Sequence, residues 1–335
     1  MILVDERFPT MGVRARLLAE YPDAFGEAPA HAQVAEARAC IERLAATLTR
    51  FDPASELSAL NRDPAARRRV SVALGSAVQA AVWAAERTAG LVDPTQLAAL
   101  ERAGYATSRA GVAPVDLDAA LADAPVRRPA GPDPRARWRE LFVSDDLRTV
   151  VRPTGLRIDL GGVGKGLAAD AAARTLTGAD RFVVDCGGDL AVGGPGVARR
   201  PWSLDVRDPR TGGPAHTIRM GAGGIATSGL DVRLWRDADG RPRHHLLDPA
   251  TGEPAWTGLL AVTALAPSAM EAEADAKAAF LAGVDAAPAL LRGRGGGAIA
   301  RESGPVRLVG LRPEPTVVRL AAAALRRPSL RSAAA

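Results

Sequence analysis

Cysteine is almost missing from this chain, with Cys40 and Cys186 the only two. Two thiols cannot build a disulfide framework, and this pair lacks the spacing of a zinc site. Cys40 falls in a helical pattern and Cys186 in a strand pattern, so both read as buried thiols. Aromatic residues make up only 4%, and no basic run is interleaved with them, which argues against nucleic acid as a partner. An excess of one charge is lacking too. The 43 basic residues, mostly arginine, against 38 acidic ones leave a formal net charge of +5, a balance that leaves a phosphate-bearing small molecule open. No hydrophobic run approaches a membrane span. The opening Met1-Ile2-Leu3-Val4-Asp5-Glu6-Arg7 brings acidic residues at once instead of the apolar core of an export signal, so a cytoplasmic protein is expected. What remains is rich in Arg, Ala, Gly and Pro, in the manner of genomic base composition, and at 335 residues is long enough to bury a full core.

The most telling stretch present is Asp159-Leu160-Gly161-Gly162-Val163-Gly164-Lys165-Gly166. It follows an alternating, strand-like run at Leu156, Ile158 and Leu160 and leads into an apolar-periodic helix. Glycines admit an anion close to the backbone, a helix start offers N–H groups and a positive dipole end, and Lys165 adds a full charge. The P-loop fingerprint fails twice, because Asp159 and Gly166 stand where it needs Gly and Ser or Thr. The spacing of Gly162, Gly164 and Gly166 also misses the dinucleotide fingerprint. Alone, the segment implies an anionic ligand and no more.

Apolar spacing predicts helices over 31–49 and 75–89, the second stopping at Gly90, then a turn at Leu91-Val92-Asp93-Pro94-Thr95 that starts a short helix through Leu97, Leu100 and Arg102. A Pro/Ala/Arg-rich connection over 105–137 reads as an insertion with one helix near 116–122. Beyond it the pattern predicts strands near 140–143, 148–152, 155–160, 181–186, 189–193, 202–206 and 216–220, a helix over 166–176 and an apolar strand from Leu259 to Ala266. Ser268 with Glu271 forms a capping box for a helix over 268–282 that Gly283 ends. One domain over 1–320 and a flexible tail over 321–335 are expected, with a last helix possible in sequence terms within 319–335. Helices first and many closely linked strands after give an α+β fold.

Acidic residues recur beside glycines and turns at Asp93, Asp159, Asp189, Asp248 and Asp275, a distribution that suits a hard-cation site and suits Asx turns and caps equally well. Asp275 stands apart, inside a predicted helix among small alanines that leave room for a cation or a phosphate, or on a solvated helix face. His244 and His245 precede Leu246-Leu247-Asp248-Pro249-Ala250-Thr251-Gly252, a strand end and a tight turn, so one imidazole points inward and is either a proton acceptor or a half-buried structural ring. Ala226-Thr227-Ser228-Gly229 reads as a small polar loop.

Taken in order, these pieces resemble the ApbE family of flavin transferases, from Met11-Gly12 to Gly283. The matching elements are Phe51 to Asn61, Gly90 to Thr95, the glycine segment continuing to Ala168-Ala169-Asp170, Gly187-Gly188-Asp189, Ala226 to Gly229, His245 to Pro254, and Val262-Thr263 followed by Ala274-Asp275. The resemblance implies a T-fold-related architecture of mixed or antiparallel sheets with packed helices. It implies Mg²⁺-dependent transfer of FMN from FAD to a Ser or Thr hydroxyl of an acceptor flavoprotein, with AMP released. By the same resemblance Met11, Phe51, Leu91, Val92, Asp93, Asp159, Lys165 and Leu246 contact FAD. Mg²⁺ is held by the Gly162 carbonyl, Asp275 and position 279, and His245 is the base that activates the acceptor, with Asp275 beside it in catalysis. Ala279 departs from the Thr of many relatives, and Gly164 from the usual Ala. Two alternatives stay open: a non-catalytic FAD-binding or flavin-delivery protein, and an FAD pyrophosphatase that yields FMN and AMP.

Overall fold

The computed structural model describes residues 1–311 and the backbone of 317–318. Its centre is an eight-stranded sheet, antiparallel throughout, in the order β1 (Ile2–Thr10), β2 (Val13–Tyr21), β6 (Arg181–Cys186), β7 (Asp189–Gly193), β10 (Gly223–Gly229), β15 (Leu259–Ala266), β16 (Gly297–Arg301) and β17 (Arg307–Val309). A small sheet joins β3 (Arg67–Arg69), β5 (Thr149–Val151) and β4 (Phe142–Val143). A second joins the hairpin β8 (Trp202–Arg207) and β9 (Pro214–Met220) to β18 (Val317–Val318), and two ribbons pair β11 (Leu234–Arg236) with β12 (Pro242–His244) and β13 (Leu247–Asp248) with β14 (Glu253–Pro254). The helices are α1 (Glu27–Leu48), α2 (Glu56–Arg62), α3 (Val72–Arg87), α4 (Leu97–Arg102), α5 (Leu117–Ala122), α6 (Gly164–Ala173) and α7 (Ala269–Arg292). The fold is α+β, as the order of elements implies.

α7 is the pivot. It packs on β10, β15 and α6, and its small residues let three apolar clusters meet around it. Ala276, Ala279 and Phe280 join Val262 and Ile299, Met270, Ala274 and Ala278 join Val78 and Ile158, and Ala269 joins Val34 and Ala168. A helix enclosed in this way cannot leave its charges to water, so Glu271, Glu273 and Asp275, all buried, must find partners inside the protein. Its start is fixed twice: Ser268 Oγ accepts from Glu271 N, and the Asp170 carboxylate of α6 accepts from Ala269 N at 2.9 Å and Met270 N at 3.0 Å. Gly283, at φ 81° and ψ 179°, interrupts the helix where the sequence predicts an end, and a further helical stretch carries on to Arg292.

Three local expectations change. Residues 155–160 form no strand, because Ile158 has its backbone partners in one side chain: Asn61 Nδ2 donates to its carbonyl and its N–H donates to Asn61 Oδ1, both at 2.8 Å. Ala226 to Gly229 lie in strand β10, not a loop, all paired with β15 and Ala226 also with Asp189 of β7. Cys40 is half-buried, and only Cys186 is fully enclosed. The 105–137 connection carries the expected helix as α5 and is tied to the body, with Val115, Arg128 and Ala130 N–H groups donating to the carbonyls of Leu234, Trp256 and Leu281. The predicted tail and last helix within 319–335 lie outside the described residues.

Candidate functional site

The glycine segment reaches the surface of a large cavity because both its ends are anchored. Leu156, Ile158 and Leu160 are buried against α3, and Asp159 N donates to the Pro94 carbonyl at 2.8 Å. Asp159 is tied down as well. Its Oδ1 accepts from Gly161 N at 2.9 Å, and its Oδ2 accepts from Arg50 Nε at 2.7 Å in a largely enclosed ion pair. The Arg50 guanidinium is thereby laid over the Phe51 ring at 4.2 Å and the Tyr105 ring at 4.9 Å, and Tyr105 in turn meets Trp235. Asp159 therefore builds an aromatic and cationic wall more than it offers a free carboxylate.

At the start of α6, Lys165 Nζ donates to Asp189 and, at 2.9 Å, to Glu273 Oε1. Lys277 Nζ donates to the same Glu273 oxygen at 2.8 Å, and Gly166 N donates to Glu273 Oε2 at 2.8 Å. Burial alone would lower the pKa of Lys165, but Asp189 and Glu273 raise it, so its charge is locked in. Burial opposes ionisation of Glu273, yet Lys165 and Lys277 hold its pKa below the usual range, while burial beside Glu273 pushes Asp189 up. The two carboxylates lie beneath, and the two ammonium groups line the cavity. Gly166 is required here, since a Cβ would sit 2.6 Å from the backbone of Ala269 and Met270 and drive α6 off α7.

The adjacent histidines separate. His244 is wholly buried in the core with its ring edge-on to Trp256, whereas His245 lines the cavity. The His245 ring is hydrogen-bonded to the Arg233 backbone, and its Nδ1 finds no partner among the described residues. Burial, then the charges of Lys277, Lys165 and Arg233, push its pKa down to about 3, so in the free protein it is a neutral imidazole with a spare lone pair.

The cavity encloses about 1100 Å³. Met11, Phe51, Leu91, Val92, Asp93, Asp159, Gly162, Lys165, His245 and Leu246 all line it. Met11 arrives on the β1–β2 hairpin turn, where it and Gly12 both take positive φ, and Asp93 is braced by Thr95 N and Oγ1 at 2.7 and 2.6 Å. Asp275 and Ala279 are not among the lining residues. They lie on another face of α7. Asp275 accepts from Arg87 Nε and an Arg87 terminal nitrogen at 2.9 Å each, and from Arg294, so its oxygens are committed to two guanidinium groups. Ala279 is fully buried and has no side-chain oxygen. The residue set thus does not fit the Mg²⁺ site that the resemblance implies: of the expected donors only Gly162 reaches the cavity, and the α7 side chains that reach it are Lys277 and Leu281. Among the described residues no three His, Cys, Asp or Glu side chains gather as a metal cluster.

The sequence reading passed over Lys277, Glu273, Arg50, Tyr105 and the β8 residues Trp202 to Arg207 that complete the lining or its support. One signal was available for Lys277, since it and Lys165 are the only lysines in the chain. Among the described residues no helix is long and apolar enough to cross a membrane.

The chain is similar to known proteins in sequence and in fold. A family model described as the ApbE family matches residues 11–300. The FAD:protein FMN transferase of Treponema pallidum (strain Nichols) is 30% identical over 262 residues, 69% of this chain and 69% of that protein. The enzyme of the same name from Salmonella typhimurium is 31% identical over 61% of this chain, which spans only 57% of that relative. The crystal structure of the ApbE protein from Thermotoga maritima superposes with a TM-score of 0.73 at 26% identity, covering 92% of this chain and 97% of that one. The flavin transferase ApbE from Vibrio cholerae, at 23% identity and a TM-score of 0.69, shares the fold.

Proposed function

The chain belongs to the ApbE family, and from that premise we propose that it is an FAD:protein FMN transferase that moves FMN from FAD to a Ser or Thr hydroxyl of an acceptor protein. The observation that carries this reading is the meeting, on one cavity large enough for a dinucleotide, of an aromatic wall at Phe51 and Tyr105, a locked ammonium at Lys165 and a neutral imidazole at His245.

Phe51 and Leu91 to Asp93 hold the flavin end, and Lys165 draws charge from the diphosphate. The acceptor oxygen forms a new bond to the flavin-side phosphorus, and the P–O bond to the bridging oxygen breaks with its electron pair leaving on AMP. The hydroxyl proton passes to His245 Nδ1. A diphosphate bound at the lysines offsets the positive charges that depress this imidazole, so its proton affinity rises when substrate arrives. Mg²⁺ has no part in this account because Asp275 is committed to arginines and Ala279 is buried without a side-chain oxygen.

The acceptor pattern that the resemblance implies is Asp-Gly-x-Ser/Thr-Gly-Ala-Thr. Incubating the protein with FAD, with and without an acceptor bearing this pattern, separates the readings. AMP release that needs the acceptor supports transfer, release without it supports a pyrophosphatase, and no release leaves a flavin-binding protein.

A further inference from the structure

Lys165 and Lys277 are the only lysines in a chain with 43 basic residues, and the fold brings both to one carboxylate at the wall of the cavity. Elsewhere this chain uses arginine even for an ordinary helix pair, as at Arg38 and Glu42. Resting on the flavin dinucleotide reading above, we propose that Lys277 joins Lys165 as a built-in cation pair that binds the diphosphate in the role the family resemblance gives to Mg²⁺.

The spacing supports it. Both ammonium groups donate to Glu273 Oε1, so the two nitrogens lie no more than about 5.7 Å apart, the two bonds laid end to end. An ammonium has three N–H donors. Lys165 spends two on Asp189 and Glu273 and Lys277 one on Glu273, which leaves three for phosphoryl oxygens. Glu273, fully buried and also held by Gly166 N, fixes both side chains from behind. Lysine suits the position better than arginine, because a compact point charge can take the place of an ion where a planar guanidinium cannot. A divalent cation seated there would compete with two fixed positive charges for oxygens already in use.

The test is calorimetric titration of the whole protein with FAD and, separately, with riboflavin, which shares the flavin ring and has no phosphate, in EDTA and in millimolar Mg²⁺. The wild-type protein is expected to bind FAD equally well, within about twofold, in both buffers. Lys277→Met is expected to lose about 10- to 100-fold in FAD affinity, the effect of a lost charge-assisted hydrogen bond, while its riboflavin affinity stays within about twofold. Lys277→Arg, which keeps the charge, should recover part of the FAD affinity. Tight FAD binding that needs Mg²⁺ would overturn the proposal, and so would FAD affinity unchanged in Lys277→Met. If that variant loses both ligands together, the wild-type comparison of EDTA with Mg²⁺ decides alone. Failure of the wild-type protein to bind either flavin would instead sink the flavin reading itself.

Discussion

Asp275 accepts hydrogen bonds from Arg87 and Arg294, and with 2% of its surface exposed it is a structural anion that ties α7 to α3 and to the turn that follows α7. Removing one partner of a buried ion pair strands the other, so Asp275→Ala should lower unfolding stability by about 3 kcal/mol. Urea denaturation measures that loss, and FAD affinity in the folded variant should change little. A variant as stable as the parent would show that the arginines find other partners. His245→Ala should slow flavin transfer by about 100-fold, the usual worth of a positioned base, while FAD affinity moves less than threefold. Equal losses in rate and affinity would make the ring structural. At this scale the sequence was informative where chemistry and turn signals coincide: Asp159, Lys165 and His245 stand out by type and context. It was misleading on α7, where Glu273, Asp275 and Lys277 alternate within five residues. Only the rotation of the helix decides which of them meets the cavity, and three cores pressing on alanines leave no apolar stripe to reveal it.

Elements with a clear period were legible, and elements made by their partners were not. α1 shows its buried stripe at Val34, Ala37 and Ile41, and β15 its continuous apolar run. By contrast β10, reading Gly-Gly-Ile-Ala-Thr-Ser-Gly, has little intrinsic preference for a strand and is one because β7 and β15 flank it. The 155–160 run has the alternation of a strand but meets an Asn61 side chain where a ladder partner would be. The β1–β2 hairpin turns on Met11-Gly12, which lacks the Asn-Gly or Asp-Gly signature of such turns. α6 and α7 fit closely at Gly166, where a Cβ would sit 2.6 Å from the backbone of Ala269 and Met270. Gly166→Ala should cost about 2 kcal/mol through overpacking and weaken FAD binding by displacing Lys165. Thermal unfolding together with FAD titration checks both, and an unchanged protein would mean that the two helices can part at no cost.

Over the whole molecule, two buried neutral histidines link stability to pH. His244 is driven well below its usual pKa by burial, then by His245, and His245 is pushed to about 3. The unfolded chain binds a proton on each below about pH 6.5 and the folded chain does not, so stability falls as pH falls. The slope should approach about 1.4 kcal/mol per pH unit for each histidine. The effect is opposed in part by buried carboxyls, because burial raises the pKa of Asp189 to about 6 and also raises those of Asp170, Asp185 and Asp231, so at these groups the folded form binds protons first; the two histidines still outnumber Asp189 near pH 6. Urea midpoints at pH 7.0, 6.0 and 5.5, chosen as roughly spanning this window, should decline, and His245→Asn should flatten part of the decline. Midpoints independent of pH would contradict burial of both rings in neutral form. The cavity itself is a whole-molecule product, since Met11, Phe51, Asp159, His245 and Lys277 come from five separated regions of chain. Whether that assembly transfers flavin is tested most directly by intact-mass measurement of a purified acceptor carrying the Asp-Gly-x-Ser/Thr-Gly-Ala-Thr pattern, after incubation with the protein and FAD. The account predicts an acceptor heavier by one covalently bound FMN, with one AMP released for each; AMP appearing while the acceptor mass stays unchanged would contradict it.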